Sequence, residues 1–520
     1  MERGKTTLIG LDGFNSGAYE YLAARGAIPN LVRIVSSGSR GTLLSTRPPY
    51  TGPAWVSMTT GVNPGHHGIF GFTRRRPGGY DHEVLTASRV GAPRIWDYAA
   101  AAGRDSLIFN VPFTFPAGAA PGRLVSGMLT PSLEADFAAP APLAEKIRRR
   151  HPGYIFDFAI DPERDFVGDR ALKAIGSELE CKRNLLEELL ASADPEFLMA
   201  VFVTPDRIQH LWGKAVLGEA PFPAGVEEGV LRLFAALDDA VGGLAGRMGE
   251  KDTLLIASDH GFAGLRSTFY LNNWLSAEGF LAWKGGGKKV SKLLGAFNRT
   301  ACKRLVPRKL VERVRRRAGE DLVDWSRTRA YASPGMEEGC YLNQAGREPE
   351  GNVLPGEDRE RTLAEIRSGL SALPGPIFRG VLPREEVYRG EFLDRAPDLL
   401  LDFARSGWNM SSSCVGASLW RDWEKYPFGV HHPHGFWAGR GPGWPAVRRD
   451  ADILDIAPTV LAALGLAAAP EMEGAALGPG SAPAAAVSAG PRGRSAGEDP
   501  EYTPGEAAAL RERLSGLGYL

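Results

Sequence analysis

The sequence has little cysteine and no excess of charge of either sign. Only four cysteines occur in 520 residues, and none forms the CxxC pair of a zinc ribbon, so we expect neither that site nor a disulfide scaffold. The 61 basic residues equal the 61 acidic ones in number, which excludes a protein that coats nucleic acid or an anionic membrane through its net charge. Any affinity for anions must therefore be local.

The chain also lacks a long apolar run. Residues 456–466 are the best candidate, but this stretch follows Asp455, contains Pro458 and falls short of the ~18–20 apolar residues that a membrane span needs. The first residues, MERGKTTLIGLDGF, have no apolar core before a cleavage site, unlike a signal peptide. We therefore expect a cytoplasmic protein without a transmembrane segment.

Short apolar runs, by contrast, recur along the chain and predict buried strands. Helical patterns separate them, above all residues 226–248, where apolar side chains recur at helical spacing. This alternation predicts an α/β fold, a doubly wound, mostly parallel sheet sandwiched by helices with inserted cap segments. Ligands of such sheets bind beyond the carboxyl ends of the strands. The predicted strands are residues 7–11, 106–111, 197–203, 253–257 and 399–403.

A length of 520 residues allows three or four domains of ~150 residues, but the pattern predicts one large, interrupted domain over residues 1–475. An Ala/Pro/Gly-rich segment, residues 476–502, predicts a flexible linker. The last residues, 503–520, regain a helical pattern and predict a C-terminal helix. The predicted core covers about 1–75, 190–280 and 395–475, and the predicted insertions or cap cover about 76–189 and 283–394.

One predicted insertion contains a basic block, residues 284–317, with thirteen Lys or Arg and a single acidic residue, Glu312. It is either the solvated helical face of a cap or a contact for an anionic partner, such as phospholipid head groups or a neighbouring subunit. Apolar residues punctuate the charges, so an amphipathic surface helix is a further interpretation. No nucleic-acid partner is predicted.

Three short segments combine histidine with aspartate or with more histidine. TPDRIQH holds Asp206 and His210, whose spacing puts both on one face of a helical turn. ASDHGF places Asp259 and His260 just after the predicted strand 253–257. The third segment, GVHHPHG, supplies His431, His432 and His434. A single segment of this kind fits a surface ion pair or a turn, but the three together predict a site for zinc or manganese, which accept imidazole and carboxylate ligands.

A hydroxyl-bearing segment, RPPYTGPAWVSMTTGVNPGHHGIFGF, is the second signal. Thr51 begins a Thr-Gly-Pro sequence before a predicted helix over residues 54–60. A hydroxyl at a helix N-terminus lies beside unpaired backbone N–H groups, which favour a bound phosphate. The alternative is that Thr51 is only the N-cap of that helix. Spacing alone leaves Thr46 and Ser57 as rival hydroxyls.

Taken in chain order, these segments resemble the alkaline phosphatase superfamily. The resemblance is strongest to the type I phosphodiesterase/nucleotide pyrophosphatase group and its prokaryotic phosphohydrolase and phosphomutase relatives. It rests on LDG, TGPAWVSMTTGVNPGHHGIF, TPDRIQH, SDHGF and HHPHG, with similar supporting segments such as FYLNNWLSAEGFL and VYRGEFLDRAPDLL. It therefore extends over most of the chain, from residue 7 to about residue 474, and implies an alkaline-phosphatase-like catalytic domain.

The resemblance also implies a site with two divalent ions, zinc in the first place and manganese as the alternative. It implies Thr51 as the nucleophile and His67 as a structural residue that orients the following loop. One ion would be bound by Asp12, Thr51, Asp259 and His260, and the other by Asp206, His210 and His431. The predicted substrate-binding residues are Gly52, His432 and His434.

The activity that the resemblance implies is metal-dependent hydrolysis of a phosphoester, as a phosphodiesterase or a phosphomonoesterase, through a phosphothreonine intermediate on a small phosphorylated substrate. A phosphomutase or phosphotransferase would use the same metal core, and a non-catalytic binder of anionic phospholipid or glycan is an alternative of another class. The absence of a sulfatase Cys/Ser-Pro-Arg sequence at Thr51 argues against sulfate esters. Phe72 stands where nucleotide pyrophosphatases have an asparagine, so nucleotide specificity is not implied.

Overall fold

The computed structural model describes residues 4–118, 120–285, 322–333, 339–413, 416, 418–478 and 502–516. Most of the basic block 284–317 and of the predicted linker 476–502 lies outside these residues. Within them, the strands are β1 (Thr6–Leu11), β2 (Ser39–Leu44), β3 (Thr73–Arg75), β4 (His82–Val84), β5 (Ser106–Phe109), β6 (Arg123–Val125), β7 (Ala138–Ala139), β8 (Phe197–Phe202), β9 (Thr253–Ala257), β10 (Gly261–Gly264), β11 (Ser267–Tyr270), β12 (Ala330–Tyr331), β13 (Gly339–Leu342), β14 (Phe378–Pro383), β15 (Leu399–Phe403), β16 (Trp408–Ser411), β17 (Trp420–Asp422), β18 (Gly429–His432), β19 (His434–Arg440) and β20 (Ala451–Asp452).

Helices connect and cover these strands. No helix within the described ranges is both long and apolar enough to cross a membrane. The α-helices are α1 (Ser16–Ala24), α2 (Pro29–Ser36), α3 (Thr51–Thr60), α4 (Pro64–His67), α5 (Ile95–Ala101), α6 (Ala141–Arg150), α7 (Pro162–Asp165), α8 (Asp169–Ala191), α9 (Thr204–Val216), α10 (Glu227–Ala245), α11 (Leu271–Ala277), α12 (Glu357–Ser371), α13 (Arg384–Val387), α14 (Ile456–Ala463) and α15 (Pro504–Gly516).

A nine-stranded sheet forms the centre, in the order β20-β2-β19-β9-β1-β8-β5-β6-β7. Strands β9, β1, β8, β5 and β6 pair in parallel, whereas β19 and β7 pair antiparallel to their neighbours. Successive residues of β1 point to opposite faces of the sheet and belong to different apolar cores. Ile9 packs with residues of α2, α8 and α10. Leu8 packs with residues of α3, α5 and α14. Helices therefore cover both faces, and the predicted doubly wound α/β fold is confirmed.

Two segments differ from their predicted placement. Strands β5, β6 and β7 lie in the segment that we predicted to be an insertion, yet they belong to the central sheet. They span only two to four residues each, so the turn residues around them dominate the pattern. The predicted strand 399–403 exists as β15, but it belongs to a separate four-stranded sheet with β12, β13 and β14. A short apolar run does not reveal which sheet it joins.

The four-stranded sheet has its own apolar core, which includes Phe269, Trp274 and Ile366. Helix α15 lies within the predicted C-terminal helix and docks on the central unit. Its Leu510 and Leu514 are buried in the main core, and Arg513 donates to the carbonyls of residues 130 and 131 at 3.2 and 3.1 Å. Residues 504–516, which follow the predicted linker, thus pack on the main core.

Gly10, in the central strand β1, leaves no room for a side chain, and this generates a prediction about stability. A Cβ atom at this position would lie 2.4 Å from Cη2 of Trp55 and 2.8 Å from Cγ2 of Val201. Overpacking of this kind costs about 1–3 kcal/mol. We therefore expect Gly10→Ala to lower the free energy of unfolding by that amount in urea denaturation.

The matched control is Gly243→Ala, at an exposed position in α10 where a Cβ meets nothing within 4 Å. Alanine is the better helix former by about 1 kcal/mol, so this variant should be as stable as the wild type or slightly more so. Equal stability of the two variants would contradict the packing argument.

Candidate active site

Three neighbouring strands end at the same edge of the central sheet and place the acidic residues. Strands β8, β1 and β9 pair in parallel, so the polar residues that follow them converge. Asp12 directly follows β1, Asp259 follows β9, and Asp206 lies in the first turn of α9, just after β8. His431 reaches the same place from β18, which pairs antiparallel with β10.

The first group of side chains consists of Asp12, Asp259 and His260. The Nε2 atom of His260 lies 3.6 Å from Oδ1 of Asp12 and 3.3 Å from Oδ2 of Asp259. All three residues are buried, and their candidate ligand atoms lie within 4.8 Å of one another. This is the geometry of a site that can hold one divalent ion.

The second group consists of Asp206, His210 and His431. The Oδ1 atom of Asp206 lies 3.3 Å from Nε2 of His210 and 3.4 Å from Nε2 of His431, and the two Nε2 atoms are 3.1 Å apart. The ligand atoms of this group also lie within 4.8 Å of one another. The ring centroids of His431 and His260 are only 3.9 Å apart, so the two groups adjoin.

Each of the three carboxylates accepts a hydrogen bond at only one of its two oxygens. Trp55 Nε1 donates to Oδ2 of Asp12 at 3.0 Å, and the backbone N–H of Gly13 donates to Oδ1 of Asp259 at 3.1 Å. Arg207 Nη1 donates to Oδ2 of Asp206. The other oxygen of each carboxylate is buried and makes no hydrogen bond within the described part of the chain.

Divalent ions fit this donor set. A buried carboxylate oxygen without a partner is costly, and three such oxygens face two sets of imidazole nitrogens. Mixed carboxylate and imidazole ligands are typical of zinc and are also accepted by manganese. The structure thus brings the six predicted carboxylate and imidazole residues together in the two groups that the resemblance implies.

The carboxylates strongly perturb one another. Burial and the neighbouring charge of Asp206 raise the pKa of Asp12, and burial and the charge of Asp12 raise that of Asp259. Burial also works to raise the pKa of Asp206, but His210 and the other groups around it hold that pKa well below its usual value. A bound divalent cation would offset the repulsion among the three carboxylates, because its charge would be the largest in the site.

Thr51 lies at the first position of α3, next to the first group. Its Oγ1 is 3.1 Å from Nε2 of His260, whose Nδ1 lies 3.1 Å from the carbonyl of Gly261. That carbonyl accepts the Nδ1 proton, so Nε2 accepts from the threonine hydroxyl. The N-cap of the helix is Tyr50, and it makes no side-chain capping bond. The interpretation of Thr51 as an N-cap is therefore wrong.

The two rival hydroxyls are engaged elsewhere. Thr46 Oγ1 donates to the carbonyl of Pro48 at 2.9 Å. Ser57 Oγ lies 2.9 Å from Nε2 of His67, and Nδ1 of the same ring accepts from the backbone N–H of Ile69 at 3.1 Å. Because Nδ1 is an acceptor, Nε2 carries the proton and donates it to Ser57. His67 thus ties the loop after α4 to the helix of Thr51.

A row of aromatic rings packs beside Thr51, and the sequence did not predict it. Phe72 stacks on Phe113, with ring centroids 5.7 Å apart. A Cβ at Gly52 would lie 2.7 Å from Cε2 of Phe113, so packing explains the glycine. Phe113 has a positive φ of 59°, a conformation that non-glycine residues rarely adopt and that is common at functional sites.

His432 and His434 belong to neither group of candidate ligands within the described residues. Their rings lie 4.8 Å apart, nearly perpendicular. Burial, together with the charges of His434 and Arg379, lowers the pKa of His432 to about 4. Their predicted substrate-binding role stays a prediction.

The fold and the site together define a class. A doubly wound sheet with two groups of aspartate and histidine at the carboxyl edge of its strands is the arrangement of the alkaline phosphatase superfamily. The model of the type I phosphodiesterase / nucleotide pyrophosphatase family matches residues 6–434. The chain therefore belongs to this family, and it is a phosphoric ester hydrolase of that superfamily.

Solved structures of low sequence identity share the fold. Phosphonoacetate hydrolase from Sinorhizobium meliloti 1021, in complex with phosphonoformate, is 16% identical with a TM-score of 0.53, over 89% of this chain and 96% of that chain. Murine ectonucleotide pyrophosphatase / phosphodiesterase 5 is 13% identical with a TM-score of 0.50, over 91% and 97%. Among curated proteins, no sequence matches this chain significantly.

The buried His67 generates a prediction about pH. Burial and the charge of Arg94 lower its pKa to about 3, whereas an unfolded histidine has a pKa of about 6.5. The unfolded chain therefore binds a proton below pH 6.5 that the folded chain does not, and stability falls as the pH falls from about 6.5 towards 3. In His67→Gln this contribution disappears.

We expect the unfolding free energy of His67→Gln to fall less steeply between pH 6.5 and 4 than that of the wild type, by up to about 1.4 kcal/mol per pH unit. Urea denaturation at a series of pH values measures the slope. The matched control is His66→Gln, which removes the neighbouring exposed imidazole. Identical slopes in wild type and His67→Gln would contradict the prediction.

Proposed function

We propose that this phosphoric ester hydrolase is a two-metal enzyme, a phosphodiesterase or a phosphomonoesterase, that acts through a phosphothreonine intermediate on Thr51. The observation that carries the proposal is the 3.1 Å contact between Oγ1 of Thr51 and Nε2 of His260, beside two groups of candidate metal ligands. A small phosphorylated substrate and a cytoplasmic location belong to the same proposal.

The proposed ligands are those named from the sequence. Asp12, Thr51, Asp259 and His260 would hold one ion and Asp206, His210 and His431 the other, with zinc as the first choice and manganese as the alternative. When bound, such ions lower the pKa of a hydroxyl and balance the negative charge of a phosphoryl group.

The chain's own residues orient the nucleophile. The Nδ1 atom of His260 donates to the carbonyl of Gly261, so Nε2 is the ring nitrogen that would hold an ion, and this same nitrogen lies 3.1 Å from Oγ1 of Thr51. The contact therefore places Oγ1 next to a proposed ligand atom. In the proposed reaction Oγ1 gives up its proton to solvent and forms a bond to phosphorus, while the bond to the leaving oxygen breaks and that oxygen takes up a proton. Water later hydrolyses the threonine ester, which releases phosphate and returns a proton to Oγ1. The positive end of α3 favours the phosphoryl oxygens at this place.

The surroundings of Thr51 bear on how the phosphoryl group is held. Phe72 packs against Phe113 and, as a phenylalanine, has no side-chain amide to take the place of the asparagine of nucleotide pyrophosphatases. We propose that backbone amides at Thr51 and Gly52 bind the remaining phosphoryl oxygen. An arginine of the cap is the alternative.

Two of the structural neighbours support the chemistry. A threonine-to-alanine variant of murine ectonucleotide pyrophosphatase / phosphodiesterase 5 is described as inactive and was solved in complex with AMP. The Sinorhizobium meliloti 1021 protein was solved with phosphonoacetate as well as with phosphonoformate. We extend from them only the expectation that Thr51 is essential and that a phosphoryl or phosphonyl group is the reacting part of the substrate.

Phosphoryl transfer to an alcohol is the second candidate, because the same phosphothreonine ester could pass its phosphoryl group to an alcohol in place of water. A mutase or phosphotransferase would release little free phosphate and pass a labelled phosphoryl group to added glycerol. Release of labelled phosphate at the rate of substrate consumption would exclude it. A non-catalytic binder of anionic phospholipid or glycan would show neither product.

The proposed nucleophile is tested by Thr51→Ala. We expect turnover of an aryl phosphate or aryl phosphodiester to fall by about 10³-fold or more, because the covalent route is removed. Elemental analysis should still find both ions, since six other ligands remain. Thr46→Ala is the matched control and should keep most of the activity. Full activity in Thr51→Ala would overturn the mechanism.

Metal dependence is tested by chelation. We expect dialysis against EDTA to abolish turnover and zinc or manganese to restore it, whereas the buried carboxylates of the metal-free chain should make it less stable. Parallel measurements of activity and thermal unfolding follow both effects. Turnover that survives complete removal of metal, verified by elemental analysis, would rule out the proposed function.

A further inference from the structure

Arg207 is a fully buried arginine beside a proposed metal ligand. Only 1% of it is exposed. Its Nη1 donates to Oδ2 of Asp206, the preceding residue, and its Nη2 donates to Oδ1 of Asp157 at 2.9 Å. The planar guanidinium thus joins two carboxylates with two separate N–H groups, which fixes both in direction as well as in distance.

The contact determines which oxygen of Asp206 faces the imidazoles. Arg207 occupies Oδ2, and the other oxygen, Oδ1, lies 3.3 Å from His210 Nε2 and 3.4 Å from His431 Nε2. Trp55 and Gly13 hold one oxygen of Asp12 and of Asp259 in the corresponding way. Among these three donors Arg207 alone carries a charge.

Asp157 supplies the balancing charge. Its side chain is 6% exposed and forms an ion pair with Arg207. It lies between α6 and α7, and its Oδ1 also accepts from the backbone N–H of Phe158 at 2.9 Å. A buried arginine that lost one of its two partners would leave a charge uncompensated, which is strongly unfavourable. Asp157 therefore keeps Arg207 in place even when the charge on Asp206 is shared with a cation.

Direct contact with substrate does not explain Arg207. Both of its terminal nitrogens face carboxylates, and it is buried between α9 and the segment that carries Asp157. A phosphate-binding arginine needs donors that are open to the substrate. The geometry therefore fits a residue that acts through Asp206.

We propose that Arg207 and Asp157 are positioning residues, which hold Asp206 so that Oδ1 is presented to a cation at the Asp206–His210–His431 group. The inference rests on the proposed function, because it assumes that this group binds an ion. It assigns a role to Asp157 and Arg207, neither of which is among the proposed metal ligands. It also ties the segment between α6 and α7 to the site.

The experiment measures zinc binding by the full chain, by elemental analysis and by competition with a chromogenic chelator. The variants are Asp157→Asn and Arg207→Met. Loss of a residue that orients a metal ligand typically weakens metal binding by about 10- to 100-fold. We expect this loss for one of the two ions, whereas the ion at Asp12, Asp259 and His260 keeps its wild-type affinity.

The matched control is the double variant Glu178→Gln/Lys182→Met. This ion pair is as deeply buried, with 1% of each side chain exposed, and Lys182 donates to the carbonyl of Phe156, next to Asp157. Removing both charges leaves no unpaired ion. The double variant should retain both zinc ions at wild-type affinity.

The outcomes separate the inference from the proposed function. Two tightly bound ions in wild type and in both test variants would contradict the inference alone. Equal weakening of both ions, or the same loss in the control, would identify a general effect of burial and would also overturn it. A wild-type chain that binds fewer than two ions would contradict the proposed function, and the inference with it. Selective loss of one ion supports both.

Discussion

Three carboxylates buried against one another at the edge of the central sheet are the constraint on which the site depends. Asp12, Asp206 and Asp259 converge because β1, β8 and β9 are parallel neighbours, and burial, together with the charge of Asp206, raises the pKa of Asp12. The chain relieves only part of this cost, since one oxygen of each carboxylate has a protein donor and the other has none in the described residues. The oxygens without a protein donor are the ones that the proposed cations would bind.

The features that could be predicted from the sequence are those that depend on residues close together in the chain. A buried strand followed by a polar residue is visible in a window of ten residues, so β1, β8 and β9 were predicted correctly as strands that end beside an aspartate. The spacing of Asp206 and His210 needs only one turn of helix. The resemblance then assigned these residues to two groups.

What the sequence could not predict depends on contacts between distant segments. The donor to Asp12 is Trp55, 43 residues away, and the partner of Arg207 is Asp157, 50 residues away. Neither tryptophan in an apolar helix nor aspartate in an irregular loop has a distinctive pattern. The same holds for Phe113, whose positive φ arises in a connection between short strands. Trp55 and Arg207 each donate to one oxygen of a candidate ligand, and Phe113 packs beside Gly52. Such contacts are a property of packing and not of spacing.

The separate four-stranded unit also contacts the segment that leads to Thr51, the proposed nucleophile. Asp402, in β15, binds Nη1 of Arg47 at 3.0 Å, and the hydroxyl of Tyr388 donates to the carbonyl of the same arginine. Arg47 lies only four residues before Thr51, so a shift of this unit moves the chain that leads into α3. Misplacement of a nucleophile by about 1 Å can cost ~10²-fold in rate. If Thr51 is the nucleophile that we propose, the four-stranded unit and the central sheet must therefore keep a fixed arrangement around it.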